Sequence, residues 1–129
     1  MRTFLFNAGI ATLFTHELDA MLRSEWHLLF ILGDLPSEEA SWWFIYLHLP
    51  MFLAALYLGN ARLEVVRRTF RLLCCGFLPI HALLHYSLSD NPLYQFHHIL
   101  SELLIYTAGI LGAIYVLDEA RDRFSQPGT

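Results

Sequence analysis

The histidine and acidic side chains of this sequence recur at spacings that suit metal binding. Two histidines stand four residues apart in the run His81-x-x-x-His85, and His98 stands four residues before Glu102. Side chains four residues apart share one face of a helix, so each pair can point two donor atoms the same way. Further donors lie earlier in the chain, at His16, Glu17, Asp19 and His48. Imidazole binds zinc, copper and iron, and added carboxylates favour zinc or non-haem iron.

We therefore predict a metal site whose ligands come from seven residues: His16, Asp19, His48, His81, His85, His98 and Glu102. Glu102 and Glu17 are the candidates for a catalytic general base. Glu25 and His27 are interpreted as surface groups, and the sequence leaves open whether His27 and His97 belong to the site. The aromatic residues near the predicted helix ends are expected to form a belt at the membrane interface: Trp26, Trp42, Trp43 and Tyr94.

The elements that must position these residues are predicted to be membrane-spanning helices. Of the 129 residues, 56% are hydrophobic and only 16% are charged, whereas a soluble domain has about 25% charged residues. Four stretches are long enough to cross a bilayer, at about 3–22, 41–59, 70–89 and 99–117. The predicted fold is all-α: one membrane domain over residues 1–129, built as a four-helix transmembrane bundle. We interpret the first stretch as a span and not as a signal peptide, because no small-x-small cleavage site follows it. A short amphipathic segment follows this span.

Arginine placement predicts the orientation of the bundle. Seven arginines lie in the two terminal segments and in the loop between spans two and three, whereas the opposite side has only Arg23. Basic residues are enriched in cytoplasmic loops, so both termini should be cytoplasmic, in a multi-pass protein of the inner membrane. The candidate ligands then all lie within roughly 15 Å of the outer boundary, by the rise per residue of a helix. Ionisable groups at this depth should face the bundle interior.

This depth predicts which ligands meet. Spans three and four are antiparallel neighbours, so His85 should lie level with His98, and His81 level with Glu102. His48 and the segment 16–19 should close the ring. In span four the same helical face continues through Ile105, Gly109 and Gly112, and small residues such as glycine favour helix contact in membranes.

One run of residues resembles a known family. The run Thr15-His16-Glu17-Leu18-Asp19-Ala20, followed by Glu25-Trp26, is similar to the signature of a family of small bacterial integral membrane proteins of unknown function. A more distant resemblance is to the HXXEE membrane proteins, although here His16 is followed by one acid, Asp19, and then by Ala20. The resemblance implies a four-span fold and a functional cluster of histidines and acids. It implies no particular reaction.

Several established metal motifs are absent. The sequence has no HExxH, no Glu-x-x-His pair of the di-iron bundles and no HxxHH box, because Tyr94 stands where that box needs histidine. Three functions stay open. The first, which we prefer, is a zinc or iron enzyme that acts on a lipid-like or small apolar substrate. The second is a small b-type cytochrome holding haem between two histidines. The third is a non-catalytic membrane protein, either an ion or proton conduit or a subunit of a complex.

Charge limits the partners of the chain. The net charge is −4 and there is no basic tract, so nucleic acid is not an expected partner. The lipid bilayer is the expected surrounding, and the oligomeric state stays open.

Overall fold

A computed structural model describes residues 1–125 of the protein, and side-chain environments for residues 1–122. The described residues form four α-helices and no strand, which confirms the all-α prediction. The helices are α1 (Arg2–Leu22), α2 (Ser37–Leu58), α3 (Glu64–Leu88) and α4 (Ile99–Ser125), with a short 3₁₀ helix at Glu25–Leu28 after α1. The helices α3 and α4 extend beyond the predicted spans at the end that carries the arginines.

Three of these helices are long and apolar enough to cross a membrane: α2, α3 and α4, the last over Ile99–Asp122. This composition indicates a membrane protein. The helix α1 has 21 residues, which at about 1.5 Å per residue is enough length for a span. Two of its buried side chains, His16 and Glu17, are polar, and they lie near the end of α1 that carries the candidate ligands.

The helix α4 lies at the centre of the bundle and packs extensively against both α1 and α3. Glycines permit close approach to α3: a Cβ atom on Gly112 would overlap the carbonyl oxygen of Cys75, and one on Gly109 would lie 2.8 Å from the Cβ of Ala82. The prediction that the small residues of span four lie at a helix contact is therefore confirmed, and the contacting helix is α3. By contrast, α2 lies at the edge of the bundle with most of its surface exposed.

The two ends of the bundle differ in chemistry. We call the end where α1 and α3 terminate the histidine end, because the candidate ligands lie there. We call the opposite end, where α1 and α3 begin, the arginine end. At the histidine end the connecting segments 23–36 and 89–98 fold over the helices and join the core through Trp26, Leu32, Tyr94 and Phe96.

Ser24 redirects the chain after α1. It adopts a left-handed backbone conformation, with φ 54° and ψ 46°, which is uncommon for a residue other than glycine. The 3₁₀ helix that follows buries Glu25 and Trp26. Trp26 packs against Phe44 of α2, with ring centroids 5.9 Å apart. The predicted amphipathic segment after the first helix thus folds inward, and Trp26 and Tyr94 are core residues and not belt aromatics. Trp42 and Trp43 are exposed, as a belt requires.

Candidate metal centre

Four side chains at the histidine end converge on one point: His16 of α1, Glu25 of the 3₁₀ helix, and His81 and His85 of α3. One donor atom from each lies within 4.8 Å of the donor atoms of the other three. The Nε2 atoms of His16 and His85 each lie 3.5 Å from a Glu25 carboxylate oxygen, and that of His81 lies 3.9 Å away. Three imidazoles therefore surround one carboxylate.

The group lies inside the protein and is short of hydrogen bonds. His16 is fully buried, and His85 and Glu25 are 3% and 7% exposed. Neither ring nitrogen of His16 has a hydrogen-bond partner, and Oε2 of Glu25 has none either. Buried polar atoms are nearly always hydrogen-bonded, so unpartnered atoms of this kind need an explanation. A cation among them would be bound by these same atoms.

The charge of Glu25 suits a cation. Burial raises the pKa of a carboxyl group, but the three imidazoles facing Glu25 more than offset burial and lower its pKa. Glu25 is thus an anionic donor at neutral pH. The interpretation of Glu25 as a surface group was wrong, because the left-handed turn at Ser24 carries it back into the bundle.

The segment before α4 holds His85 in place. The hydroxyl of Tyr94 lies 3.3 Å from Nδ1 of His85, so the two side chains share a hydrogen bond. Phe96 packs against His85 and His16, with ring centroids 4.9 and 5.5 Å apart. Burial raises the pKa of Tyr94 to about 12, so the phenol stays neutral. Because Nε2 of His85 faces Glu25, Tyr94 contacts the imidazole on its other nitrogen.

A pair of polar side chains, His48 and Glu17, lies next to the four-residue group. Nε2 of His48 lies 2.8 Å from Oε2 of Glu17, and Nδ1 of His48 lies 2.5 Å from the carbonyl oxygen of Phe44. Nδ1 of His48 donates its proton to that carbonyl. A hydrogen bond between Nε2 of His48 and Oε2 of Glu17 therefore needs a second proton, which the two side chains share. His16 and Glu17 are both buried although they lie about 100° apart on α1. This is possible because His16 faces α3 while Glu17 faces α2.

Four predicted ligands lie outside the four-residue group: His48, which contacts Glu17, together with Asp19, His98 and Glu102. Asp19 forms an ion pair with Arg23 at 3.3 Å, and its Oδ2 atom is buried without a hydrogen-bond partner. His98 and Glu102 are exposed, and Nδ1 of His98 accepts the backbone N–H of Leu100 at 3.2 Å. The expectation that His98 and Glu102 face His81 and His85 is therefore corrected.

The physical reason lies in which face of α4 is buried. The helix starts at Ile99, so His98 is not on its face, and Ser101 takes the buried position next to Ile105. Glu102 is one residue further round the helix and points outward. Phe96 fills the space beside His85 that the prediction assigned to His98.

Two further histidines stay at the margin. His27 is half-buried, with Nε2 3.3 Å from the hydroxyl of Ser37. His97 is exposed and packs against the ring of Tyr94 at 5.1 Å. Neither belongs to the four-residue group.

A family model described as "Family of unknown function (DUF6713)" matches residues 2–122, which is nearly the whole chain. The chain belongs to the DUF6713 family. No curated protein and no solved structure matches this DUF6713 protein. Membership in a family of unknown function is confirmed, while neither the signature run nor the resemblance to the HXXEE proteins gains support. Membership places the chain among relatives without assigning a reaction.

Sequence reasoning missed Glu25, although a signal for it was present. Glu25 is an acid beside Trp26 in the stretch between two apolar helices, and both belong to the run that carried the family resemblance. Helical spacing alone could not detect it, because Glu25 is not on any of the four helices.

Proposed function

We propose that this DUF6713 protein is an integral membrane metalloprotein whose ion is held by His16, Glu25, His81 and His85. The observation that carries the proposal is the convergence of three imidazoles on a buried carboxylate, with the nitrogens of His16 and Oε2 of Glu25 unpartnered. Ionisable groups buried within membrane helices are costly and mark functional sites.

The donor set suits zinc or iron. A tetrahedral zinc ion at about 2.0–2.1 Å from each ligand separates its ligand atoms by about 3.3–3.4 Å. The imidazole nitrogens lie 3.5–3.9 Å from one or the other oxygen of Glu25, and the four donor atoms lie within 4.8 Å of one another, so the donor atoms must move closer together by up to about 1.4 Å to bind zinc. Three imidazoles with one carboxylate also suit non-haem iron.

A bare ion fits the group better than haem. Haem in a b-type cytochrome needs a flat slot between two axial histidines. Here the carboxylate of Glu25 lies among the three imidazoles, and Phe96 covers His16 and His85. These groups fill the volume that a porphyrin would need.

We place the site in the outer half of a four-span bundle in the inner membrane, with α1 as the fourth span and both termini cytoplasmic. The length of α1 and its packing against α4 support its spanning role. Seven arginines on one side against Arg23 on the other support the orientation. The whole chain then forms one membrane domain surrounded by lipid.

A catalytic role on a lipid-like or small apolar substrate is the further step of this proposal. A bound zinc or iron ion would supply Lewis-acid or oxygen chemistry. The chain itself supplies Glu17 and His48, whose 2.8 Å contact gives a proton acceptor beside the four-residue group. Glu17 stays the candidate general base, whereas exposed Glu102 has no part in the proposed centre.

The experiment is elemental analysis of the full chain, purified in detergent without chelator, together with an optical spectrum. We expect about one zinc or iron ion per chain and no Soret band. The variants Glu25→Gln and His85→Ala should lose at least about 90% of the metal, since each removes a ligand. The matched controls Glu102→Gln and His98→Ala change the same residue types outside the group and should keep it.

Circular dichroism separates loss of ligand from loss of fold, because the variants should keep their helix content. The proposal is wrong if the wild-type chain carries no metal and fails to bind added zinc or ferrous ion saturably. It is also wrong if the control variants lose metal as completely as Glu25→Gln.

A further inference from the structure

A cavity lies at the arginine end, at the opposite end of the bundle from the four-residue group. Its volume is about 700 Å³, and it is bordered by the start of α1, the start of α3 and the last turns of α4. Arg71 and His85 both lie on α3, fourteen residues apart, so the two sites are separated by about 20 Å along this helix. Four arginines line the cavity: Arg2, Arg67, Arg68 and Arg71.

Three of the four arginines form ion pairs. Arg68 pairs with buried Glu119, which also contacts Arg2 at 3.1 Å. Arg67 pairs with Glu64, whose side chain is 69% exposed. An exposed pair of this kind is weak, so Arg67 can exchange Glu64 for another anion at little cost.

Arg71 differs from the other three. Its side chain is buried, yet the contacts found for it among the described residues are with neutral groups. Its guanidinium donates to the carbonyl oxygen of Gly59 at 2.7 Å and to the hydroxyl of Thr3 at 3.0 Å, and it lies over the ring of Phe6 at 4.8 Å. A guanidinium has five N–H donors, so donors remain for a ligand in the cavity that Arg71 lines.

Burial of a cation without an anionic partner is costly. Three acids line the cavity, Glu64, Glu119 and Asp122, and among the described residues their ion pairs are found with Arg67, Arg68 and Arg2 but not with Arg71. An anion in the cavity would provide the missing charge for Arg71. Guanidinium groups match phosphate oxygens in pairs of parallel hydrogen bonds, which makes arginine the preferred residue for this anion.

We propose that the cavity at the arginine end binds a phosphate group, with Arg71 as its buried anchor and Arg67 and Arg68 at its rim. The phosphate is carried either by the headgroup of an anionic lipid or by a small soluble phosphate compound. The position of the cavity, at the ends of helices long enough to cross the membrane, is the level at which lipid phosphates lie.

The test uses the full chain in phosphatidylcholine nanodiscs and two probes, dihexanoyl phosphatidic acid and inorganic phosphate, followed by isothermal titration calorimetry. We expect saturable binding of the phosphatidic acid. Equal affinity for inorganic phosphate identifies a soluble phosphate compound as the source, whereas binding of the lipid alone identifies a headgroup. Either result supports the site.

Matched variants locate the binding. Arg71→Lys keeps the charge but loses the paired donors, and it should weaken binding by about tenfold or more. Arg67→Gln should weaken binding similarly without touching the contacts of Arg71, so it keeps the test decisive if Arg71→Lys fails to fold. Arg62→Gln removes the same charge from an exposed position in the loop just before α3 and should leave affinity within about twofold.

The metal content of all three variants should equal that of the wild type, because the histidine end is untouched. The proposal is overturned if neither probe binds saturably. It is also overturned if Arg62→Gln weakens binding as much as Arg67→Gln. That result would indicate nonspecific electrostatic attraction to the positively charged surface and no defined site.

Discussion

At the scale of single residues, Glu25 determines what the histidine group can bind. Three imidazoles alone are neutral donors, and Glu25 adds one negative charge that a cation would compensate. Tyr94 contacts the group on the side away from Glu25, through a hydrogen bond to Nδ1 of His85. When Nε2 of an imidazole binds an ion, Nδ1 carries the proton and donates it to a neighbouring acceptor. Here that acceptor is the hydroxyl oxygen of Tyr94.

Replacing this hydroxyl should weaken metal binding without abolishing it. Tyr94→Phe keeps the ring that packs in the core but removes the partner of His85. Loss of such a supporting hydrogen bond costs about 10–100-fold in metal affinity. The measurement is a zinc competition assay with a chelator of known affinity.

The control for this prediction is Tyr86→Phe, which makes the same change at an exposed position on α3. It should leave the zinc affinity as in the wild type. If Tyr94→Phe binds zinc as tightly as the control, the hydrogen bond to His85 does not position a ligand.

At the scale of the helices, small residues set how closely α3 and α4 approach. A Cβ atom on Gly112 would overlap the carbonyl oxygen of Cys75 and would lie 2.8 Å from the Cβ of Leu78. Because the overlap is with backbone, no side-chain rotation relieves it. Close packing of this kind fixes α3 against α4, and α4 also packs against α1. It therefore fixes the positions of His81 and His85 relative to α1.

Gly112→Ala should therefore destabilise the bundle. Forcing a methyl group into a well-packed contact costs about 1–3 kcal/mol. The free energy of unfolding can be measured by titration with sodium dodecyl sulfate in mixed micelles.

The matched control is Gly76→Ala on α3, where a Cβ atom would meet nothing within 4 Å. Alanine favours a helix over glycine by up to about 1 kcal/mol, so this variant should be as stable as the wild type or more so. Equal destabilisation by both substitutions would show that close packing at Gly112 is not the cause.

The same scale explains what could be predicted from the sequence. Three of the four converging residues, His16, His81 and His85, lie on helices, so their spacing and depth were sufficient to predict that they meet. The fourth, Glu25, lies in a segment whose path depends on one left-handed residue, Ser24, and helical periodicity carries no information about such a turn. The error at Glu102 has a different origin, because α4 begins at Ile99 as predicted but buries the face that carries Ser101 and Ile105, and Glu102 lies about 100° away from Ser101 on the helix.

At the scale of the whole molecule, the two ends of the bundle carry opposite chemistry. The histidine end holds Glu25 and its imidazoles, and the arginine end holds the cavity lined by Arg71. Their separation along α3, about 20 Å, is about two thirds of the ~30 Å hydrocarbon thickness that the helices would cross. The proposed topology places the first end outside and the second end in the cytoplasm.

This topology predicts which end an impermeant thiol reagent reaches in intact cells. A cysteine at exposed Asn91, in the connection before α4, should be labelled from outside, whereas a cysteine at exposed Arg62 should be labelled only after the cells are opened. The native thiols give a low background, because Cys75 is buried and Cys74 half-buried. Labelling of the Arg62 position in intact cells would reverse the orientation and place the histidine end in the cytoplasmic leaflet.

The buried acid and histidine of α1 have a consequence for how the protein is made. During synthesis α1 leaves the ribosome first, and it carries His16 and Glu17 before any of their partners exists. Glu25 follows soon after, but His48 arrives with α2 and the two remaining imidazoles only with α3. Until then, a lone α1 would expose these polar groups to lipid, which is costly. We therefore expect α1 to settle across the bilayer only together with the later helices, and the ion to be captured last.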